Sequence, residues 1–141
     1  AFCTDVLKIA HAVTLGDGDV DALRAASAGE FFHHVFDATG NPGAMERGFG
    51  FVAHGGTYVL VSIVQGNISF SDPEFHKRET TLLSSRNATL TDFATVMQAM
   101  RDGRVPTKAM NTHRAPLFEV AQCMPAWIRP EAGTIKALLE I

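Results

Sequence analysis

Three short stretches set small or polar residues directly after apolar runs: Asp37-Ala38-Thr39-Gly40, Ser62-Ile63-Val64-Gln65-Gly66 and Ser84-Ser85-Arg86-Asn87. If each run is a strand, these are its carboxyl end, the place where ligands bind in open α/β sheets. Small side chains there admit a ligand to the backbone, whose N–H and C=O groups can then bond it. Any one of them reads more readily as an ordinary strand-to-loop transition; the three together shift the balance modestly toward a ligand crevice. Arg86 adds a guanidinium that could take a phosphate or a substrate hydroxyl, or pair with a nearby acid. Lys136, near the last apolar run, carries the same choice between a ligand contact and plain solvation.

Other chemistries have less support. Six histidines are present, but His33-His34 falls on an expected strand, where neighbouring rings face opposite sides and cannot chelate one ion. His11, His54, His76 and His113 show no ligand spacing with one another or with Cys3 and Cys123. No G-x-S-x-G elbow surrounds a serine. Neither G-x-x-x-x-G-K-[ST] nor G-x-G-x-x-G occurs, so the chain has no phosphate-cradling loop of its own.

The elements that must position these residues follow from periodicity. Phe2, Val6 and Ile9 share a helical face, and His11–Leu15 reads as a short strand closed by Gly16-Asp17-Gly18-Asp19. Val20, Leu23 and Ser27 fit a helix ending near Gly29, and Phe31–Phe36 a strand. Asn41 caps the next helix, with Pro42 at its first position, Met45, Phe49 and Val52 on its buried face and Gly55 as its stop. Thr57–Val64 is almost continuously apolar, as in a parallel strand covered on both faces, with Thr80–Ser84 as partner. Thr89 and Asp92 form a capping box before Phe93, Val96, Met97 and Met100, and Asp102-Gly103 ends that helix. A last helix opens at Pro116, and Thr134–Ile141 is a final strand. The alternation gives an α/β class with a mainly parallel sheet.

At 141 residues, with 46% apolar residues, the chain has the size and composition of one globular domain. A formal charge of −3 without a basic cluster excludes a nucleic-acid footprint. No apolar run is long enough to span a bilayer. The two cysteines, far apart in sequence, read as free thiols of a reducing compartment, with a disulfide as the alternative. A cytoplasmic setting is expected. The chain opens at Ala1 rather than Met, and its first residues already read as helix, so it is expected to be a piece of something longer.

In order, these pieces resemble the medium-chain dehydrogenase/reductase family, in particular its zinc-dependent alcohol, polyol and sugar-acid dehydrogenases. The resemblance is carried by Val35-Phe36-Asp37-Ala38-Thr39-Gly40-Asn41, Gly55-Gly56-Thr57-Tyr58-Val59-Leu60-Val61 and Leu83-Ser84-Ser85-Arg86-Asn87-Ala88-Thr89 with Asp92-Phe93. Thr112-His113-Arg114-Ala115-Pro116-Leu117 and Gly133-Thr134-Ile135-Lys136 extend it. It covers the later part of the family's chain only.

The resemblance implies that residues 1–88 are the latter part of a Rossmann-type nucleotide domain. Residues 89–141 would return toward the catalytic domain. It implies NAD or NADP as cofactor, its adenosine half near Thr39 and Gly40. The nicotinamide amide would lie against the backbone of Val61, Ser62 and Ile63 and of Thr81 to Leu83, with Lys136 toward the pyrophosphate. Ser62 stands where the family commonly has Gly. Asn67–Phe70 would pair two subunits into one continuous sheet, giving a homo-oligomer. The glycine-rich turn, the ribose-binding acid and all zinc ligands would lie upstream of Ala1. The isolated chain is therefore expected to hold neither cofactor nor zinc, and to leave apolar surface for another copy or chain to cover. The implied substrate is a small alcohol or polyol. A zinc-free quinone or enone reductase of the same superfamily and a non-catalytic binding or dimerisation module are the alternatives.

Overall fold

A computed structural model describes residues 2–141. They form two compact units, one of residues 11–87 and one of residues 2–10 with 88–141.

The first unit alternates helix and strand three times. Helix α1 (Asp19–Ala26) leads into strand β1 (Phe32–Asp37), helix α2 (Pro42–Gly48) into β2 (Val52–Leu60), and helix α3 (Asp72–Lys77) into β3 (Thr81–Ser84). The strands are all parallel in the order β1-β2-β3. Pairs His34–Thr57 to Asp37–Leu60 and Thr57–Thr81 to Leu60–Ser84 bring the three carboxyl ends to one level. That alignment positions the site.

Asn41 caps α2 as its sequence foretells, its Oδ1 accepting the Ala44 N–H at 3.0 Å with Pro42 at the first position. The helix nevertheless ends at Gly48, not at Gly55. Tyr58 is the reason: fully buried, its hydroxyl donates to the Met45 carbonyl at 2.8 Å, and a Cβ on residue 48 would collide with that hydroxyl. A one-turn 3₁₀ segment, Phe49–Phe51, then turns the chain, and Val52 is the first, fully buried residue of β2 instead of a helical one. Gly55 sits in a bulge of that strand, at φ +67°, its N–H bonded to the Arg78 carbonyl at 2.7 Å.

Two further expectations change. His11–Leu15 forms no strand, because no other strand runs beside it to share a ladder. Strand β2 stops at Leu60 rather than Val64, since the Asp37 carbonyl takes the N–H groups of both Val61 and Ser62, at 2.9 and 3.2 Å, and turns the chain away. Helix α3 was not foreseen. Ser71 caps it, accepting the Glu74 N–H at 3.4 Å, with Pro73 in its first turn. An aromatic cluster seats this helix: Phe70 stacks on Phe49 at 4.5 Å between centroids, Tyr58 meets Phe49 edge-on at 4.8 Å, and Phe75 lies 5.1 Å from Phe70.

The second unit begins with a π-helical turn, Phe2–Val6. Its longest helix, α4 (Leu90–Arg101), carries the expected capping box, with the Thr89 hydroxyl accepting the Asp92 N–H and the Asp92 carboxylate accepting the Thr89 N–H. Helix α5 (Thr107–Met110) precedes strand β4 (Asn111–Pro116), which pairs in parallel with β5 (Lys136–Glu140). Strand β4 occupies the stretch before Pro116, and the helix expected at Pro116 begins as a 3₁₀ turn, Leu117–Glu119, before α6 (Val120–Trp127). Cys3 and Cys123 are both free thiols. Among the described residues no helix is long and apolar enough to cross a membrane.

Candidate functional site

Asp37 is the last residue of β1 and is 5% exposed. A carboxylate so placed must be bonded to remain charged. Its Oδ1 accepts the Ser62 hydroxyl at 2.6 Å and the Thr39 N–H at 3.2 Å, while its Oδ2 accepts the Thr39 hydroxyl at 2.9 Å. The Thr39 hydroxyl oxygen in turn accepts the Asn41 N–H at 3.2 Å. Main chain adds to this, because the same residue's carbonyl holds Val61 and Ser62. One acid thus fixes the loop after β1 and the loop after β2 relative to each other. The third end joins through the Ser85 N–H, which donates to the Leu60 carbonyl at 2.9 Å.

Beside these tied ends a cleft of about 360 Å³ opens, walled by Leu60, Ile63, Val64 and Ile68, with Ser62, Ser85 and Arg86 at its polar side. The N–H groups of Ile63 and Val64 and the carbonyls of Val61, Ser62 and Ile63 have no hydrogen-bond partner among the described residues. An apolar wall beside unpaired main-chain N–H and C=O groups suits a ligand with one apolar face and a polar edge. Gly40 follows Thr39 in the left-handed region, at φ +62°, with nothing near the place a Cβ would take.

Of the candidate residues, the cleft gathers Ser62, Ile63 and Arg86, and the Asp37 network adds Thr39. Val61 lies next to the cleft and is half exposed. Leu83 pairs with Val59 one residue short of the strand end, whereas Thr81 pairs with Thr57 at the opposite end of β3. Lys136 belongs to the second unit, where it opens β5 opposite Asn111. The residue missed from sequence was Asp37 as a hub. An acid closing an otherwise apolar run was its visible signal. Among the described residues no three His, Cys, Asp or Glu side chains come together as a metal-ligand set.

The comparisons with known proteins fall on this same architecture. The family model described as zinc-binding dehydrogenase matches residues 5–102. L-galactonate-5-dehydrogenase of Escherichia coli (strain K12) is 48% identical over 105 residues, which are 74% of this chain and 31% of that protein. Among solved structures, 2R,3R-butanediol dehydrogenase from Bacillus subtilis superposes with a TM-score of 0.78 at 18% identity, over 89% of this chain and 36% of that one. A short chain alcohol dehydrogenase from E. coli CFT073, solved in complex with NADH, superposes with a TM-score of 0.74 at 15% identity, over 99% of this chain and 47% of that one. The matched part of the chain therefore spans from 31% to 47% of the length of these proteins.

Proposed function

This chain belongs to the zinc-binding dehydrogenase family, and from that premise we propose that it forms the rear portion of an NAD(P)-dependent, zinc-dependent dehydrogenase. Its substrate would be a polyol, a sugar acid or a similar secondary alcohol. The observation that carries the reading is the cleft where three parallel strand ends meet under the Asp37 network. Residues 1–88 serve in this reading as the rear of the nucleotide domain and 89–141 as the return toward the catalytic domain.

When bound, the nicotinamide supplies the acceptor for a hydride from the alcohol carbon. The work of this chain is to seat that ring. Val61, Ser62 and Ile63 offer the main-chain groups that fix the carboxamide, Leu83 extends the apolar side, and Thr81 lies farther along the same strand. Thr39 and Gly40 form the floor for the adenosine half, Gly40 because no side chain blocks approach there. Lys136 meets the pyrophosphate, and Arg86 hydrogen-bonds a substrate hydroxyl or carboxylate. Among the described residues no three His, Cys, Asp or Glu side chains gather into a set that fits zinc. Its ligands belong to polypeptide outside these residues. Asn67–Phe70, which joins no strand of its own chain, pairs with its counterpart in a second copy.

The test is a spectrophotometric assay of nicotinamide reduction with NAD and NADP against a panel of sugar acids and polyols that includes L-galactonate. A longer polypeptide bearing this segment turns over a secondary alcohol, and the 141-residue chain alone does not. Hydride transfer by the isolated chain, or a longer protein inert toward every alcohol but active on a quinone, overturns the proposal.

A further inference from the structure

At the amino ends of the same strands a second hollow, of about 400 Å³, is lined by Arg24, Phe31, His33, His54, Lys77 and Arg78, with Glu30 as the carboxylate in its wall. The chain as a whole is acidic, at −3, yet three permanent cations and two imidazoles meet here against one acid. Arg78 is fixed in place. Its Nη1 donates to the Val52 carbonyl at 2.6 Å and to the Gly50 carbonyl at 3.3 Å, and its side chain is 22% exposed. The Arg78 guanidinium lies 5.8 Å from the centre of the Phe31 ring, and that of Arg24 lies 5.2 Å from the same ring. Among the described residues Arg24 has no ion pair and no side-chain hydrogen bond.

Glu74, outside the hollow, stands 3.7 Å from both Lys77 Nζ and Arg78 Nε, so one carboxylate is shared between two cations. The cations are thus drawn together by an aromatic face and by carbonyls, with too little negative charge to balance them. Phe31 itself sits at φ +65°, a conformation that bulky side chains avoid, and the Ser27 hydroxyl holds it there by accepting its N–H at 2.9 Å. The turn that places the ring under both guanidiniums is held at an energetic cost.

We infer that this hollow binds a small soluble phosphate monoester. Among the described residues Arg24 has no anionic partner and Arg78 shares Glu74 with Lys77, so a phosphate dianion supplies negative charge that the cluster lacks. The planar forks of the two arginines suit its oxygens, with Lys77 as a third donor. A lone carboxylate carries half that charge. The hollow exceeds the size of inorganic phosphate, so the organic part of the ester fills the remainder beside His33 and His54. The site is separate from the strand-end cleft, because β1 enters here at Phe32 and leaves at Asp37, about 16 Å of strand at ~3.3 Å per residue.

The experiment is a titration of the ¹⁵N-labelled chain with glycerol 3-phosphate at constant ionic strength, followed by amide NMR, with glycerol and sodium chloride as controls. Saturable shifts confined to Phe31, His33, His54 and their neighbours are expected, with Arg24→Gln weakening the affinity about tenfold, close to one charge-assisted contact. Lys77→Gln weakens it less, and Arg101→Gln on α4 leaves it unchanged. Equal shifts in chloride, shifts spread over all basic residues, or full affinity in Arg24→Gln overturn the inference. No nicotinamide is involved, so failure here is independent of the dehydrogenase reading.

Discussion

The hydroxyl of Ser62 donates to the carboxylate of Asp37 across 2.6 Å, joining the end of β2 to the end of β1. Ser62→Ala removes one bond to a charged acceptor and leaves the two from Thr39. It is expected to lower stability by about 1.5 kcal/mol, and Asp37→Ala, which strands both hydroxyls, by roughly twice that. Urea unfolding followed by circular dichroism measures both. Equal and negligible losses would show that the hub does not bind the two loops together.

Tyr58 is held neutral well into alkali. Burial pushes its phenol up to about 12, and the charge of Asp37 pushes in the same direction. The folded state therefore holds the proton more tightly than the unfolded chain, for which the ordinary value is 10.0. Its contribution to stability is complete below pH 10.0 and disappears as the pH rises toward about 12. Phenolate absorbance of the single tyrosine should rise only with alkaline unfolding. A reversible titration near 10.0 in the folded protein contradicts this.

Asp19 moves the opposite way. The hydrogen bond from Arg47 Nη2, at 2.7 Å, and then that from the Gly16 N–H, at 3.1 Å, hold its carboxyl below the ordinary 3.8. The stability it supplies is present above 3.8 and is lost as the pH falls through the lower folded value. Asp19→Asn should melt at a lower temperature than the parent at neutral pH, and the gap should narrow in acid. A gap that stays constant into acid would sink the assignment.

Gly48→Ala drives a methyl group into the Tyr58 hydroxyl. The clash either breaks the bond to Met45 or displaces α2, at an expected cost of about 3 kcal/mol, the upper part of the usual overpacking range. Gly50→Ala, with open space around the new methyl, is expected to be neutral or to stabilise by about 0.5 kcal/mol. Thermal melts of the two variants give the comparison, and similar melting temperatures would contradict it.

Local signals reported what is locally decided. The Asn41 cap, the Thr89–Asp92 box and the Phe32–Asp37 strand all follow from neighbours in sequence. The end of α2 was hidden because Tyr58, ten residues downstream, determines it. His11–Leu15 has strand composition without a strand beside it, and composition alone builds no ladder. Helix α3 is short and held by the aromatic contacts of Phe75 with Phe49 and Phe70 more than by periodicity. At the site, the strand ends themselves were legible. That one acid should tie two of them through hydroxyls 2 and 25 residues away was not, since the second is a tertiary pairing.

Trp127 and Tyr58 are the only indole and the only phenol in the chain, and each belongs to a different unit. The indole, with its main-chain carbonyl held by the Thr134 hydroxyl and His113 5.7 Å from its ring, reports on residues 2–10 and 88–141. The phenol reports on residues 11–87. Red-edge excitation of tryptophan emission beside second-derivative tyrosine spectra therefore gives an unlabelled, two-channel readout of whether the units melt in concert or in succession.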